Sequence, residues 1–379
     1  MLVASRFPED SCLIQRGNAM TSNLPETTYM WREIHEQPEA IRRALMSTRD
    51  QVQTIVSEIA KRDIDMILLV ARGSSDHAAL YAQYLFQYLN GIPVALATPS
   101  IITLYGAQLR LQRALVIGVS QSGEGPDVVE VVAQARAAGA LTVGVTNQEH
   151  SALAAAAHHA LFCAAGPERS VAATKTYTTT CAILAQLAAM LPGGEALHGP
   201  LDHLPELVAE ALRSEATVGR LVERYVHARD CVVLGRGFQY STARETALKL
   251  AETCYVVATP FSTADFRHGP LALVERGLPV IVFAPPGRTL DDTRDLLTWL
   301  RAQKADCVVI AEDTRVLEMA TTALPLALPQ LPGNRPEVVE LLAPIPYVVY
   351  GQFLALHLAL HKGLNPDEPR SLTKVTRTL

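Results

Sequence analysis

Two segments rich in glycine and hydroxyl side chains are the best candidates in this chain for binding an anion. Residues 120–122 (Ser-Gln-Ser) close an apolar run and precede a helical pattern that starts at Pro126. A helix N-terminus presents unpaired N–H groups and a partial positive charge, serine hydroxyls add donors, and a phosphate ester suits that combination best. Residues 72–75 (Arg-Gly-Ser-Ser) follow another apolar run and offer a second set of hydroxyls.

A purely structural role and a dinucleotide site both compete with the phosphate interpretation. Serine and glycine also cap helices and form turns, so either segment alone could serve only to shape the backbone. The two segments together, at the ends of neighbouring strands, favour the phosphate interpretation. Gly235 and Gly237 also follow an apolar run, as in a dinucleotide site, but Tyr240 stands where the third glycine belongs and the sequence contains no P-loop motif.

The elements that must position these segments follow an alternating α/β pattern. Short apolar runs, typical of buried parallel strands, alternate with helical patterns. The predicted strands are Met66–Ala71, Leu115–Val119, Leu141–Val145, Cys231–Leu234, Val280–Ala284 and Val308–Ala311, and the predicted helices include Asp76–Asn90, Pro126–Ala138, Ser241–Cys254 and Asp291–Gln303. This order predicts a doubly wound parallel sheet flanked by helices, in a flavodoxin-like three-layer α/β/α arrangement.

The pattern repeats along the chain. Gly73 and Gly237 each follow the first strand of a unit and are 164 residues apart, and Gly123 and Gly287, which follow a later strand, have the same separation of 164. We therefore expect two domains of one topology. Only the first copy carries serine hydroxyls in its loop, so we expect one ligand site per chain, chiefly on the N-terminal domain.

Composition argues against several classes of protein. A hydrophobic content of 49% argues against disorder, and a net charge of −5 argues against a nucleic-acid partner. No apolar run approaches the roughly 20 residues of a membrane span, and the N-terminus lacks the apolar stretch of a secretion signal, so we expect a cytoplasmic protein without membrane contact.

Metal, cofactor and disulfide sites are not expected either. The six cysteines form no CxxC motif, which favours small core residues over a disulfide framework or a zinc site. His357 and His361 have the spacing of metal ligands, but without a nearby carboxylate or cysteine a core or interface position is favoured. We predict no cofactor and no metal.

Several ordered blocks resemble the double sugar-isomerase (SIS) domain family: residues 72–75, 120–124, 171–176, 234–237, 245–252, 267–270 and 369–374. The chain is similar to the isomerase half of glutamine–fructose-6-phosphate aminotransferase, and Ser170–Lys175 and Lys374–Thr376 make it most similar to stand-alone glucosamine-6-phosphate deaminases. The resemblance implies an N-terminal extension (1–28, expected to be poorly ordered), two tandem SIS domains (29–200 and 201–364), and a C-terminal tail (365–379) that closes the site.

The resemblance also implies roles for individual residues. Glu252 would be the base that moves the C2 proton, His268 would open the sugar ring, and Lys374 would meet the sugar carbonyl. Lys249 and Glu245 would form a charged pair on the helix of the base. The implied substrate contacts are Gly73, Ser74, Ser75, Ser120, Gln121, Ser122, Gly125, Val171, Ala173 and Thr373, with Arg72 in a supporting position. In this family the histidine comes from a neighbouring subunit, which implies a homodimer.

Departures from the family pattern fall in the phosphate loops. Gly125 replaces a threonine and removes one phosphate donor, Arg72 replaces a cysteine and offers a charge instead, and Asp265 replaces a glutamate.

The chemistry of an amino-sugar conversion agrees with these roles. Ring opening needs a group that exchanges protons near neutrality, which suits His268. The C2 proton needs a carboxylate base, and apolar neighbours around Glu252 would favour its protonated form. The imine needs a cation or a lysine nucleophile, and both roles stay open for Lys374.

As the resemblance implies, a glutamine-dependent synthase would need a glutaminase domain and a nucleophilic cysteine, and this sequence shows neither. We therefore expect conversion of glucosamine 6-phosphate to fructose 6-phosphate and ammonia. The alternatives are an isomerase or deaminase of another sugar phosphate, ammonia-dependent glucosamine-6-phosphate synthesis, and a non-catalytic phosphosugar sensor.

Overall fold

A computed structural model describes residues 24–331 and 335–374 of the chain. Most of the predicted N-terminal extension, 1–28, and the last five residues of the tail therefore lie outside the described residues. The few described residues of the extension form a short helical turn, Pro25–Thr27, that leads into the first helix.

Two five-stranded parallel sheets form the framework. The first contains β1 (Met66–Val70), β2 (Val94–Leu96), β3 (Ala114–Val119), β4 (Leu141–Thr146) and β5 (His159–Phe162), in the order β2-β1-β3-β4-β5. The second contains β6 (Asp230–Gly235), β7 (Val257–Ser262), β8 (Pro279–Ala284), β9 (Asp306–Ala311) and β10 (Thr322–Pro325), in the order β7-β6-β8-β9-β10. Both sheets thus have one topology, which confirms the predicted repeat and the α/β class.

The four strands that the sequence did not predict are the edge strands β2, β5, β7 and β10. Every residue of β3 and β4 is buried, so a central strand appears as a continuous apolar run. An edge strand such as β10 or β7 has mostly half-buried or exposed residues and lacks that signal.

Helices cover both faces of each sheet. They are α1 (Tyr29–His35), α2 (Gln37–Ile59), α3 (Ser74–Asn90), α4 (Pro99–Thr103), α5 (Pro126–Ala137), α6 (Ala152–Ala156), α7 (Lys175–Met190), α8 (Leu204–Leu212), α9 (Glu215–Leu221), α10 (Gln239–Cys254), α11 (Thr263–Arg267), α12 (Leu290–Ala302), α13 (Thr314–Leu317), α14 (Pro336–Leu342) and α15 (Pro344–His361). One continuous core, to which α2, α3, α7, α8, α10 and α15 contribute, joins the inner faces of both sheets, whereas α5 and α12 cover separate outer cores.

The apolar helix α15 runs through the shared core, with nearly all of its residues buried. Within 24–331 and 335–374 no single helix has the length and apolarity to cross a membrane; α14 and α15 reach that threshold only as a pair, bent by 49°.

A polar cluster attaches α1 to the C-terminal domain. Glu215, at the start of α9, accepts a hydrogen bond from the indole of Trp31 at 2.7 Å and lies 3.1 Å from His35 and 3.4 Å from His357. Burial opposes the negative charge on Glu215, but the hydrogen bonds from the two imidazoles and the indole outweigh it and lower its pKa to about 2. His357 therefore has a structural partner in this cluster.

Candidate active site

A cleft of about 330 Å³ opens at the carboxyl edge of the first sheet, between β1 and β3. The strand order reverses at this point, and open α/β sheets bind ligands there. The cleft is lined by Arg72, Gly73, Ser74, Ser75, Val119, Ser120, Gln121, Ser122, Gly125, Asp127, Val128, Val171, Ala173, Glu252 and Lys374. Most of the predicted site residues thus lie in one cleft.

The loop between β3 and α5 forms one wall. The hydroxyl oxygen of Ser120 accepts a hydrogen bond from the N–H of Gly123 at 3.1 Å, and that of Ser122 accepts from the N–H of Glu124 at 3.3 Å. Because each serine oxygen is held by the backbone, its hydroxyl hydrogen can donate to a ligand. Gly123 has φ of +67°, and a Cβ there would lie 2.3 Å from Ser151 Oγ, so this tight turn requires glycine.

The turn from β1 into α3 forms the opposite wall. Gly73 has φ of +58° and ψ of −132°, a conformation that is strained for any residue with a Cβ. The turn places Ser74 and Ser75 in the first helical turn, where backbone N–H groups lack intrahelical acceptors. Ser74 Oγ donates to Glu245 at 2.9 Å and accepts from Lys249 at 3.1 Å, which ties this wall to α10 of the second domain.

Behind that wall lies a buried charge cluster on one face of α10. The ammonium of Lys249, only 1% exposed, lies 3.3 Å from Glu245 and 2.7 Å from Glu252, and His77 Nδ1 lies 2.7 Å from the other oxygen of Glu245. Burial opposes the charge on Glu245, but Lys249 and His77 hold its pKa below the usual range. Burial also opposes the charge on Lys249, yet the two carboxylates raise its pKa.

Glu252 is the member of this cluster that reaches the cleft, with 22% of its side chain exposed. The i,i+3 spacing on α10 also places the Lys249 ammonium against this carboxylate, and the effect expected from its apolar neighbours stays a prediction.

Lys374 enters the cleft from the C-terminal tail. Its ammonium donates to the carboxylate of Glu168 at 2.8 Å and to the carbonyl of Ser170 at 2.7 Å. The fully buried Glu168 also accepts from the N–H groups of Thr174 and Thr176, at 3.0 Å each. Burial opposes ionisation of Glu168, but the charge of Lys374 and these hydrogen bonds lower its pKa.

The described part of the tail follows an irregular path beside the cleft. After α15, Gly363 adopts φ of +71° and the chain leaves the helix. The carboxylate of Asp367 accepts from the N–H groups of Tyr29 and Met30 at 2.8 Å each, and its carbonyl accepts from Val171 N–H at 3.0 Å. Further along, the guanidinium of Arg370 lies 4.0 Å from the ring centre of Tyr255. The tail is thus anchored to the start of α1, to Val171 and to Tyr255 before it presents Lys374.

Four predicted residues do not line the cleft. Lys249 and Glu245 lie behind it, and Thr373 is exposed outside it. His268 follows α11 in the second domain, is exposed, and is not among the lining residues of its own chain. Its contribution across a subunit interface stays a prediction.

Sequence reasoning missed three residues that support the site: Asp127, Glu168 and His77. Asp127 is buried beside Arg72, with Nε of the guanidinium 2.6 Å from its carboxylate. Glu168 had a usable sequence signal, because it stands two residues before the matched segment Ser170–Lys175. His77 carried no local signal, since its partner is 168 residues away.

The loop between β3 and α5, the serine loop, has a counterpart between β8 and α12 of the second domain. A side chain of the chain itself, Glu340, fills that counterpart. Glu340 of α14 accepts from the N–H groups of Arg288 and Thr289, at 2.7 and 3.2 Å, and from the hydroxyl of Thr289 at 2.6 Å. A Cβ at Gly287 would lie 2.3 Å from the Glu340 carboxylate. The loop of the second domain that corresponds to the loop between β3 and α5 therefore holds a carboxylate of the chain itself.

Comparison with known proteins decides the family. The family model described as SIS domain matches residues 58–190 and 225–326, which contain nearly all of the two sheets. The chain belongs to the SIS domain family. This match confirms the predicted resemblance and the two tandem SIS regions.

Individual relatives agree with the family match. A glutamine–fructose-6-phosphate aminotransferase (isomerizing) of Pyrococcus horikoshii is 36% identical over 351 residues, which are 91% of this chain but 57% of the relative. The chain therefore spans little more than half the length of that relative. A putative phosphosugar isomerase of Silicibacter pomeroyi superposes with a TM-score of 0.78 at 34% identity, over 90% of this chain and 100% of that one. The C-terminal domain of the Francisella tularensis glucosamine-fructose-6-phosphate aminotransferase gives 0.79 at 26% identity, over 93% and 100%.

Proposed function

We propose that this SIS protein is an enzyme that acts on phosphosugars, and that its reaction converts glucosamine 6-phosphate to fructose 6-phosphate and ammonia. The observation that carries the proposal is the meeting of a carboxylate, Glu252, and an ammonium, Lys374, in one cleft with a hydroxyl-rich loop at a helix N-terminus. Similarity to a phosphosugar isomerase and to aminotransferases that act on fructose 6-phosphate supports the substrate class.

In the proposed reaction the phosphate binds the serine loop and the open sugar extends toward Glu252. Lys249 holds Oε2 of this carboxylate at 2.7 Å, which leaves Oε1 for the substrate. Glu252 takes the proton from C2 while O1 of the aldehyde gains a proton from water, which gives an enol with the amine on C2. Glu252 then returns its proton to C1 while the amine loses one N–H proton to water, so the C2 amine becomes an imine and C1 a hydroxymethyl group. Water adds to C2 of the imine, ammonia leaves, and the ketose remains.

Lys374 is the cation proposed to face that imine. Glu168 and Ser170 accept hydrogen bonds from its ammonium and hold it at the cleft, and a positive charge there polarises the imine for attack by water. A neutral Lys374 that forms a Schiff base with the ketose is the other role, and borohydride trapping with fructose 6-phosphate separates the two, because only the Schiff base leaves a covalent adduct.

The reverse direction, synthesis of glucosamine 6-phosphate from free ammonia, is the second candidate. The identity of 36% to a protein named as an aminotransferase favours it over a sensor function. Deamination of another amino-sugar phosphate is detected by the ammonia-release assay, whereas isomerisation of a neutral sugar phosphate requires an assay of ketose formation.

The test is ammonia release across a panel of amino-sugar phosphates, with wild-type protein and a Glu252→Gln variant. Removal of a general base should lower the rate by about 10²–10⁴ while substrate binding is retained. Glu149→Gln, at an exposed position outside the cleft, is the matched control. Turnover of none of the panel, or C2 proton exchange at the wild-type rate in the Glu252 variant, would overturn the proposal.

We also propose a cytoplasmic homodimer in which His268 completes the partner's cleft. The support is that His268 is exposed and does not line the cleft of its own chain. His268→Asn and Glu252→Gln chains, each inactive alone, should regain about a quarter of wild-type activity when mixed randomly, because half of the dimers then contain one intact site. No recovery in verified mixed dimers would refute the shared site.

A further inference from the structure

Arg72 and Asp127 form an ion pair at the mouth of the cleft that the proposed reaction does not use. Arg72 Nε lies 2.6 Å from Asp127 Oδ2; the carboxylate is 1% exposed, whereas the arginine side chain is 53% exposed. The other oxygen of Asp127 accepts from the N–H of Val128 at 2.9 Å. A buried carboxylate thus fixes one edge of a guanidinium that is otherwise open to the cleft.

This pair lies in the same corner as the serine loop. A Cβ built on Gly125 would lie 3.6 Å from Asp127 Oδ1 and 3.9 Å from Ser120 Oγ, so these three residues surround one small space. Both distances are ordinary van der Waals contacts, and the backbone at Gly125 has φ of −64°, which any residue adopts. Glycine at this position therefore leaves a gap that a larger side chain could have filled.

Among the described residues, 24–331 and 335–374, the charges around the cleft point to one cation for an anion in this corner. Arg72 and Lys374 are the cations among the lining residues, and Lys374 is engaged with Glu168. A guanidinium presents several donors in a planar fork that matches two phosphate oxygens. With Nε directed to Asp127, the remaining donors of Arg72 belong to its terminal nitrogens.

We propose that Arg72, oriented by Asp127, binds the phosphate group of the substrate in the corner left open by Gly125 and makes the cleft select phosphate esters over neutral sugars. Asp127 is the positioning residue of this pair. The inference rests on the proposed function for the sugar, but phosphate binding by Arg72 is tested without any turnover.

The experiment measures binding of fructose 6-phosphate and inorganic phosphate by titration calorimetry. Loss of one charge-assisted contact should weaken both ligands by roughly tenfold to a hundredfold in Arg72→Gln. The wild-type affinity should also fall more steeply with salt than that of the variant. Arg62→Gln, at an exposed arginine outside the cleft, is the matched control and should bind both ligands as wild type does.

A second variant distinguishes loss of phosphate binding from loss of folding. Arg72→Gln removes a charged group that pairs with the buried Asp127, and such a change can destabilise the chain. Arg72→Gln with Asp127→Asn removes both charges and keeps a neutral pair, and it should show the same loss of phosphate affinity. Adding Gly125→Thr to that double variant should recover part of the affinity, since a hydroxyl side chain fits the corner.

The outcomes separate this inference from the proposed reaction. Weakened phosphate binding in both arginine variants supports the role of Arg72, even if no amino-sugar phosphate is turned over. Wild-type affinity in the well-folded double variant overturns it, even if the deaminase reaction is real. Wild-type protein that binds neither ligand at millimolar concentration overturns both.

Discussion

The buried ammonium of Lys249 is the group whose removal should disturb the molecule most. It is 1% exposed and pairs with both Glu245 and Glu252, and Glu245 is itself fully buried. Breaking a buried pair by removing one partner costs roughly 3–5 kcal/mol, because the other charge is left uncompensated. Since about 1.4 kcal/mol is a factor of ten, Lys249→Met should raise the unfolding equilibrium constant by about two to three and a half orders of magnitude.

A double variant shows whether the uncompensated charge is the cause. In Lys249→Met with Glu245→Gln the buried position holds no ion, while an amide oxygen can still accept from Ser74. Neutral replacement of a whole buried pair is often close to neutral in stability. Glu252 is partly exposed and can be solvated. The double variant should therefore be more stable than the single one, despite carrying one more substitution.

The pH dependence of stability should also change sign. In the wild type the pKa of Glu245 lies below the ordinary 4.5, so its contribution is complete above pH 4.5 and is lost as pH falls through the folded pKa. Without Lys249 the pKa of Glu245 should rise above its unfolded value, so that stability declines as pH rises above 4.5.

Urea unfolding followed by far-UV circular dichroism at pH 5.5 and pH 8 tests these expectations. The single variant should show the lowest midpoint of the three proteins at pH 8 and should recover at pH 5.5. A single variant as stable as wild type at pH 8, or a double variant less stable than the single one, would refute the reasoning.

Three further outcomes are expected. Burial disfavours the charged form of His35, but Glu215 raises the pKa of His35 above 6.5, so the stability gained from that pair is complete below 6.5 and lost as pH rises through the folded pKa. In a Trp299→Phe background, where Trp31 is the remaining tryptophan, its fluorescence should report this transition, and Glu215→Gln should abolish it. Removal of residues 371–379 should abolish turnover while the two SIS domains still fold, with a lower melting temperature because the buried Glu168 loses the ammonium of Lys374. Near-native activity of the truncated protein would contradict the role of the tail. Calorimetry should find one fructose 6-phosphate per chain, and two would contradict a single site.

The sequence was most informative where burial is continuous or a motif is local. The central strands and the helices behind them were predicted to within one or two residues because both faces of each strand are apolar. The two segments 72–75 and 120–122, which line the cleft, were predicted because glycine, serine and the helix start are adjacent in sequence. The edge strands were missed because half-buried residues alternate there without a clear period.

Long-range ion pairs were beyond sequence reasoning. Glu168 and Lys374 are 206 residues apart, and Arg72 and Asp127 are 55 apart, so spacing gave no sign that either pair would meet. Burial of a carboxylate is decided by the whole fold, and a glutamate or aspartate in the sequence is more often solvated.

The carboxylate of Glu340 on the loop of the second domain acts as a tethered competitor for that loop. Groups joined by short flexible linkers already have effective concentrations in the millimolar range, and Glu340 is held more tightly, on a packed helix with only 5% of the residue exposed. A free phosphate ester at micromolar concentration would have to displace a ligand that never diffuses away. A single glutamate thus fills the loop of the second domain and satisfies the N–H groups of Arg288 and Thr289, so the two copies of one topology present different surfaces to an anion in solution.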